Sequence, residues 1–217
     1  KPGNFFLDMP SALARQGVFG AKLLGYFPGN TTRPTLQGVI VLFDAATGAP
    51  TAIVDAVSVT ALRTAAASGL ATRQLAREDA CTLAILGTGV QAEWHLRAMR
   101  AVRPIKRVFI WGRSFEKAER FVENHCGVGD DFTACQDARM AVAEADIVCT
   151  VTASPRPILE GRWLRSGTHL NLVGAFTPET REVDTEAIRR SRFFVEIREF
   201  ALREAGELVI PIAEGAI

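Results

Sequence analysis

Residues 81–92 read Cys81-Thr-Leu-Ala-Ile-Leu-Gly87-Thr88-Gly89-Val90-Gln91-Ala92. A short apolar run ends in Gly-x-Gly-x-x-Ala, and a stretch of helix-like composition follows over residues 93–101. Strand, turn and helix in that order are the context a dinucleotide-binding turn needs. Gly87 permits the tight turn, Gly89 lets the backbone approach a pyrophosphate, and Ala92 is small enough for the helix to lie close on its strand. The helix start then offers free N–H groups and a positive dipole end to the phosphates. Thr88, Val90 and Gln91 complete the turn and are counted with it as cofactor contacts. Gly-rich strand–helix turns also occur without a ligand, so the weight of the string comes from its surroundings.

The next apolar run, Arg107-Val-Phe-Ile-Trp111, leads into Gly112-Arg113-Ser114. An NAD-binding unit usually carries Asp or Glu at the end of this strand, where it accepts hydrogen bonds from the ribose 2′-hydroxyl. Here the tip has no acid. A carboxylate would repel a 2′-phosphate, whereas Arg and Ser bind one. The expected cofactor is therefore NADPH, with NADH also admissible; the alternative is an ordinary solvated loop arginine.

Strands and helices alternate onward from this point. A helix is expected over 115–124 with Ser114 as its N-cap, then a weak strand near 132–134 and a helix over 137–143. A buried-type strand starts at 146 and ends at Thr150 or Thr152, another lies within 166–174, a helix covers 182–190, and a strand covers 192–197. This alternation predicts an α/β fold, a Rossmann-type doubly wound parallel sheet with helices on both faces. Ligands in such sheets bind beyond the carboxyl ends of the strands, here Gly87, 111–113, 150–153 and 173–176.

The chain before residue 77 has a different character. A strand over 37–43, a turn over 44–48 and a second strand over 50–54 read as a hairpin. A helix over 59–75 is built on Thr64-Ala-Ala-Ala-Ser-Gly69. Its small residues point to close packing, although plain helix propensity also accounts for them. Residues 1–76 are expected to be part of a second, α+β, substrate-facing domain, and residues 77–217 the dinucleotide domain, with both chain ends cut.

Composition excludes several classes. A net charge of +1 gives no electrostatic case for nucleic acid or a membrane surface. No apolar run reaches the ~18 residues of a spanning helix, and no signal peptide is visible, although residue 1 is Lys. Cys81, Cys126, Cys135 and Cys149 have no Cys-x-x-Cys spacing, which points to a reduced, cytoplasmic protein. His95, His125 and His169 are far apart, so no metal is expected.

Several separated motifs coincide: Gly20-Ala-Lys22, Thr47-Gly-x-Pro50 with Asp55, Leu62-Arg-Thr-Ala-Ala-Ala-Ser68, Leu86-Gly-Thr-Gly-Val-Gln-Ala92 and Asn171-Leu-Val-Gly-Ala175. Together they resemble the ornithine cyclodeaminase/mu-crystallin family over nearly the whole chain. The resemblance implies a Rossmann domain beside a substrate and dimerisation domain, and hence a homodimer. The family contains cyclodeaminases, alanine dehydrogenases, ketimine reductases and crystallin-type binders. Cyclodeaminases carry an Asp in the loop after the fifth strand of the Rossmann domain, where this chain reads Gly174-Ala-Phe176-Thr-Pro178. Phe176 has no ionisable group and cannot act as a base. The stretch resembles bacterial reductases of Δ1-pyrroline-2-carboxylate and Δ1-piperideine-2-carboxylate. The small cyclic imino acid is therefore the expected substrate. The alternatives are a cyclodeaminase or alanine-dehydrogenase-like enzyme, and a crystallin-like protein that binds NADPH without turnover.

The resemblance also implies site residues. Lys22 lies in an apolar run, where an ammonium is costly to bury without a partner; the alternative is a snorkelling surface lysine. Arg63 has a fork suited to carboxylate or phosphate, against a surface salt bridge. Lys22 and Arg63 are the expected catalytic pair, with Arg63 and Thr64 also reaching the cofactor. Thr150, Thr152, Val173 and Ala175 are expected along the nicotinamide, against plain core packing. Met9 matches a pocket-lining position, although Met often only fills a core. Glu204 is either a pocket carboxylate or an exposed helix-end charge.

Overall fold

The computed structural model describes residues 3–217. The chain divides into two compact units, Lys1–Arg63 and Thr64–Ile217. The first is a four-stranded antiparallel sheet in the order β1-β2-β3-β4: β1 Phe5–Leu13, β2 Val18–Tyr26, β3 Leu36–Asp44 and β4 Pro50–Asp55. The expected hairpin is β3 and β4. Its turn forms because Asp44 Oδ1 accepts from the N–H groups of Ala46 and Thr47 and from the Thr47 hydroxyl, while Gly48 takes a φ of 72°. β1 and β2 are strands that the periodicity did not announce, since β1 shows no clean apolar alternation. Pro10 fits β1 because that strand lies at the sheet edge, where a missing N–H is tolerated.

Helix α1, Ala56–Leu75, begins three residues before the expected start at 59. Asp55 initiates it by accepting from the N–H groups of Val57 and Ser58. The division between the units falls inside α1, whereas composition placed it at 76/77. The C-terminal part of α1 is bound into the second unit: Ser68 meets His95, and Thr72 bonds Asn171 and Met99.

The second unit carries a five-stranded sheet in the order β7-β6-β5-β8-β9, parallel throughout. Its strands are β5 Thr82–Leu86, β6 Arg107–Trp111, β7 Asp131–Cys135, β8 Ile147–Thr150 and β9 His169–Leu172. Between them run α2 Val90–Val102, α3 Phe115–His125 and α4 Ala138–Ala143. β5 is wholly buried. Its side chains alternate between two cores. Leu83 and Ile85 pack with Ala92, Leu96 and Met99 of α2 and Phe121 of α3. Ala84 and Leu86 pack with Ala141 and Val142 of α4 and with Ala187 and Ile188. A period of two on a central strand, with helices on each side, is the doubly wound arrangement. Ser114 caps α3 as expected, its hydroxyl accepting from Lys117 N.

Two expectations near the C-terminus are corrected. The helix expected over 182–190 is the shorter α5, Thr185–Arg189, because Asp184 accepts from Ala187 N and starts it there. Val183 instead forms a parallel bridge with Leu159. The strand expected over 192–197 does not form: these residues are exposed and pair with no strand. β-propensity in Phe193-Phe194-Val195 is not sufficient without a neighbouring edge and a face to bury. Helices α6 Arg198–Glu204 and α7 Gly206–Ala213 follow. No helix of the described residues is long and apolar enough to cross a membrane.

Candidate functional site

β5 is the point at which the strand order reverses: the chain moves outward to β6 and β7, then returns to β8 and β9 on the other side. The crevice beyond the carboxyl end of such a strand is where doubly wound sheets bind ligands. Gly87 leaves β5 with a φ of 138° and donates its N–H to Trp111 O at 2.7 Å. A Cβ on it would stand 2.8 Å from Val151. Gly89 caps α2 in an extended conformation, with no side-chain bond to the first-turn N–H groups. A Cβ on Gly89 would meet nothing within 4 Å. The first turn of a thirteen-residue helix thus opens on a cradle bare of side chain, with its dipole directed at it. Gln91 Oε1 is buried beside this turn without a hydrogen-bond partner among the described residues. The turn therefore fits a pyrophosphate.

Gly112 is held against the turn, since a Cβ there would lie 2.8 Å from Thr88 Cγ2. Arg113 beside it is exposed, and no hydrogen bond or ion pair among the described residues engages it. A cleft of about 330 Å³ between the turn and α3 is lined by Thr88, Gly89, Val90 and Lys117 among others. Ser114 uses its oxygen as a cap and keeps its O–H to donate.

On the other side of β5, Val151 N donates to Leu86 O and Val173 N to Thr150 O, which brings the ends of β8 and β9 to the same crevice. Thr150 Oγ1 is buried and, among the described residues, finds no partner in hydrogen-bond geometry. Thr152 and Gly174 both bond Glu182, a fully buried carboxylate. Glu207 lies just beneath it and accepts from the N–H groups of Glu182 and Val183. Burial raises both carboxyls, Glu207 to about 7, against the pull of those donors. Sequence reasoning missed this pair, having placed Glu182 in a helix. The signal was Asp184, a capping residue that starts the helix after it.

In the first unit, Met9 and Lys22 are cross-strand partners on β1 and β2. Lys22 Nζ donates to Thr60 Oγ1 of α1 at 3.4 Å. Partial burial lowers the Lys22 pKa, and the Arg63 charge lowers it further. The structure thus gathers Met9, Lys22 and Arg63, and no ion pair among the described residues engages either cation. Thr64 follows Arg63 on α1 and is half-buried. Glu204 is exposed at the last position of α6, and no hydrogen bond or ion pair among the described residues joins it to the other candidates.

Both ring nitrogens of His95 are engaged within the fold. His95 is buried; its Nδ1 faces Gln91 O at 2.8 Å, and its Nε2 faces Ser68 Oγ at 2.9 Å. Burial lowers its pKa, so the neutral ring is favoured. Burial pushes the Cys149 thiol up to about 12, which leaves it unreactive. Among the described residues no three His, Cys, Asp or Glu side chains group as a metal site.

The model of the ornithine cyclodeaminase/mu-crystallin family matches residues 3–215. A Delta(1)-pyrroline-2-carboxylate reductase of Paracoccus denitrificans is 43% identical over 92% of this chain and 64% of its own length. The ketimine reductase mu-crystallin of Mus musculus is 38% identical over 99% of this chain and 68% of its own. The structure of Thermococcus litoralis Delta(1)-pyrroline-2-carboxylate reductase in complex with NADH and L-proline superposes with a TM-score of 0.92 at 35% identity. It is covered over 67% of its length and covers 99% of this chain. The chain thus spans about two thirds of the length of these relatives.

Proposed function

Because the chain belongs to the ornithine cyclodeaminase/mu-crystallin family, we propose that the protein reduces the C=N bond of a cyclic ketimine acid with NADPH. Δ1-Pyrroline-2-carboxylate and Δ1-piperideine-2-carboxylate are the substrates, and L-proline and L-pipecolate the products. The observation that carries the reading is Phe176, in the loop beyond β9 where cyclodeaminases carry an acid. The reductases among the relatives support the same class of reaction.

The chemistry divides simply. A bound nicotinamide would supply the hydride for the imine carbon, and the protein's part is to hold the substrate and deliver a proton to the nitrogen. Lys22 and Arg63 hold the substrate carboxylate by charge, Arg63 through its planar fork. The lowered pKa of Lys22 makes its ammonium a readier proton donor to the nitrogen. A cyclic imine is in any case partly protonated near neutral pH, so placement and exclusion of water carry much of the rate. Gly87–Ala92 hold the pyrophosphate, and Arg113 with Ser114 holds a 2′-phosphate, which is the basis for NADPH over NADH. Thr150, Thr152, Val173 and Ala175 would line the nicotinamide side of the crevice. The same reading makes the protein a homodimer.

The test is NADPH and NADH oxidation by the full-length protein with both ring sizes. Turnover with at least one ring and a lower KM for NADPH are expected. No turnover with either ring overturns the reading, and tight NADPH binding without turnover would instead favour a binding protein.

A further inference from the structure

The buried carboxylates Glu182 and Glu207 have no part in the reaction described above, yet they occupy an unusual place. Glu182 precedes α5, and its two oxygens reach two different strand ends. Oε1 accepts from Thr152 N at 2.7 Å and Thr152 Oγ1 at 2.6 Å; Oε2 accepts from Gly174 N at 2.7 Å. Thr152 lies two residues beyond β8, and Gly174 two residues beyond β9. Gly174 approaches so closely that a Cβ on it would stand 2.0 Å from Thr152 O and 2.5 Å from Glu182 Cδ. The backbone of Glu182 is fixed in turn. Its carbonyl accepts from Ile158 N and Leu159 N, and its N–H donates to Glu207 Oε1 at 2.7 Å.

No ion pair among the described residues engages either carboxylate. The Thr150 hydroxyl also faces Glu182. Arg181 acts on Glu207 from a distance and is itself paired with Glu214. A core position needs no carboxylate, and an unpaired one is costly to bury. What a carboxylate offers here is several acceptor sites that can hold donors from two loops at once. Those loops flank the dinucleotide turn on the side away from Arg113, because β8 pairs with β5 and β9 lies beyond it.

We propose that Glu182 is a positioning residue that clamps the loops after β8 and β9 into a fixed floor for the nicotinamide ring, with Glu207 as its buttress. This rests on the reading of the crevice as a nicotinamide-dinucleotide site. The clamp acts at the nicotinamide end and leaves the phosphate grip of Gly87–Ala92 and Arg113 alone. Glu182→Gln keeps the shape but turns one acceptor into an NH₂ that faces the N–H of Thr152 or Gly174.

The experiment is isothermal titration calorimetry of the full-length protein with NADPH and with 2′-phospho-ADP-ribose, which lacks the nicotinamide. Glu182→Gln is expected to weaken NADPH binding roughly tenfold and to leave the fragment within about twofold. Glu207→Gln leaves the bonds of Glu182 to Thr152 and Gly174 in place and is expected to weaken NADPH selectively by roughly threefold; it carries the test if Glu182→Gln does not fold. Equal weakening of both ligands, or unchanged NADPH binding in both variants, overturns the proposal. A wild-type protein that binds NADPH more tightly than the fragment but reduces no imine overturns the reductase reading and leaves the clamp standing.

Discussion

Replacing Gly89 by alanine is expected to separate cofactor binding from folding. Gly89 has φ −93° and ψ −170°, extended backbone open to any residue, and a Cβ would meet nothing within 4 Å. The fold therefore changes by no more than about 1 kcal/mol, the stabilisation from a less free unfolded chain being offset by the weaker N-cap. The added methyl instead fills the space over the first-turn N–H groups of α2. Losing one hydrogen bond to a charged phosphate costs about 1.5–3 kcal/mol, so NADPH should bind about 10- to 150-fold more weakly. Gly87→Ala should behave in the opposite way. Its φ of 138° and the 2.8 Å approach to Val151 combine backbone strain with overpacking, a loss of about 2–5 kcal/mol of stability. Urea denaturation and NADPH titration of both variants at one salt concentration form the assay. A Gly89→Ala protein that binds NADPH like wild type, or that unfolds as readily as Gly87→Ala, would refute the assignment of the turn.

Three other outcomes are expected. Arg113→Ala should weaken NADPH about 10- to 100-fold while NADH changes by less than about twofold, because only the former carries the 2′-phosphate; parallel losses for both cofactors would discount its assigned role. Phe176→Asp should leave stability within about 1 kcal/mol, since the side chain is 52% exposed, and should give detectable proline from ornithine; its complete absence would show that this position does not decide the chemistry. Glu207, raised to about 7 chiefly by burial, binds more protons folded than unfolded. Its stabilisation is complete below the unfolded carboxyl pKa and is lost as pH rises through about 7, on the order of 3 kcal/mol in total. Glu207→Gln should flatten that slope in urea midpoints between pH 4.5 and 7.5, and an unchanged slope would assign it elsewhere.

The parts that were legible in the chain are those written over a few residues. Gly87 to Ala92 could be read because a positive φ, a close phosphate and a tight strand–helix contact each demand a small residue at one position. Ser114 as a cap and the β3–β4 hairpin belong to the same kind. The parallel strands followed from apolar runs of strand length between helices. The readings that failed did so where a local signal had a competitor. Phe193-Phe194-Val195 carries β-propensity but has no edge to join. The run 182–190 has helical composition, yet Asp184 caps it late and leaves Glu182 outside the helix.

The dinucleotide turn, its place between strand and helix, and the absence of an acid at both Arg113 and Phe176 stand in the chain itself. Steric limits on the backbone and the charge of a side chain are properties of neighbours in sequence. The clamp is of another kind. Glu182 meets Thr152 across thirty positions and Glu207 across twenty-five. A glutamate reads as a surface residue until the sheet order brings those segments together. Desolvation belongs to the surroundings rather than to the residue, so the folded chain alone made two ordinary acids into a buried pair at the strand ends.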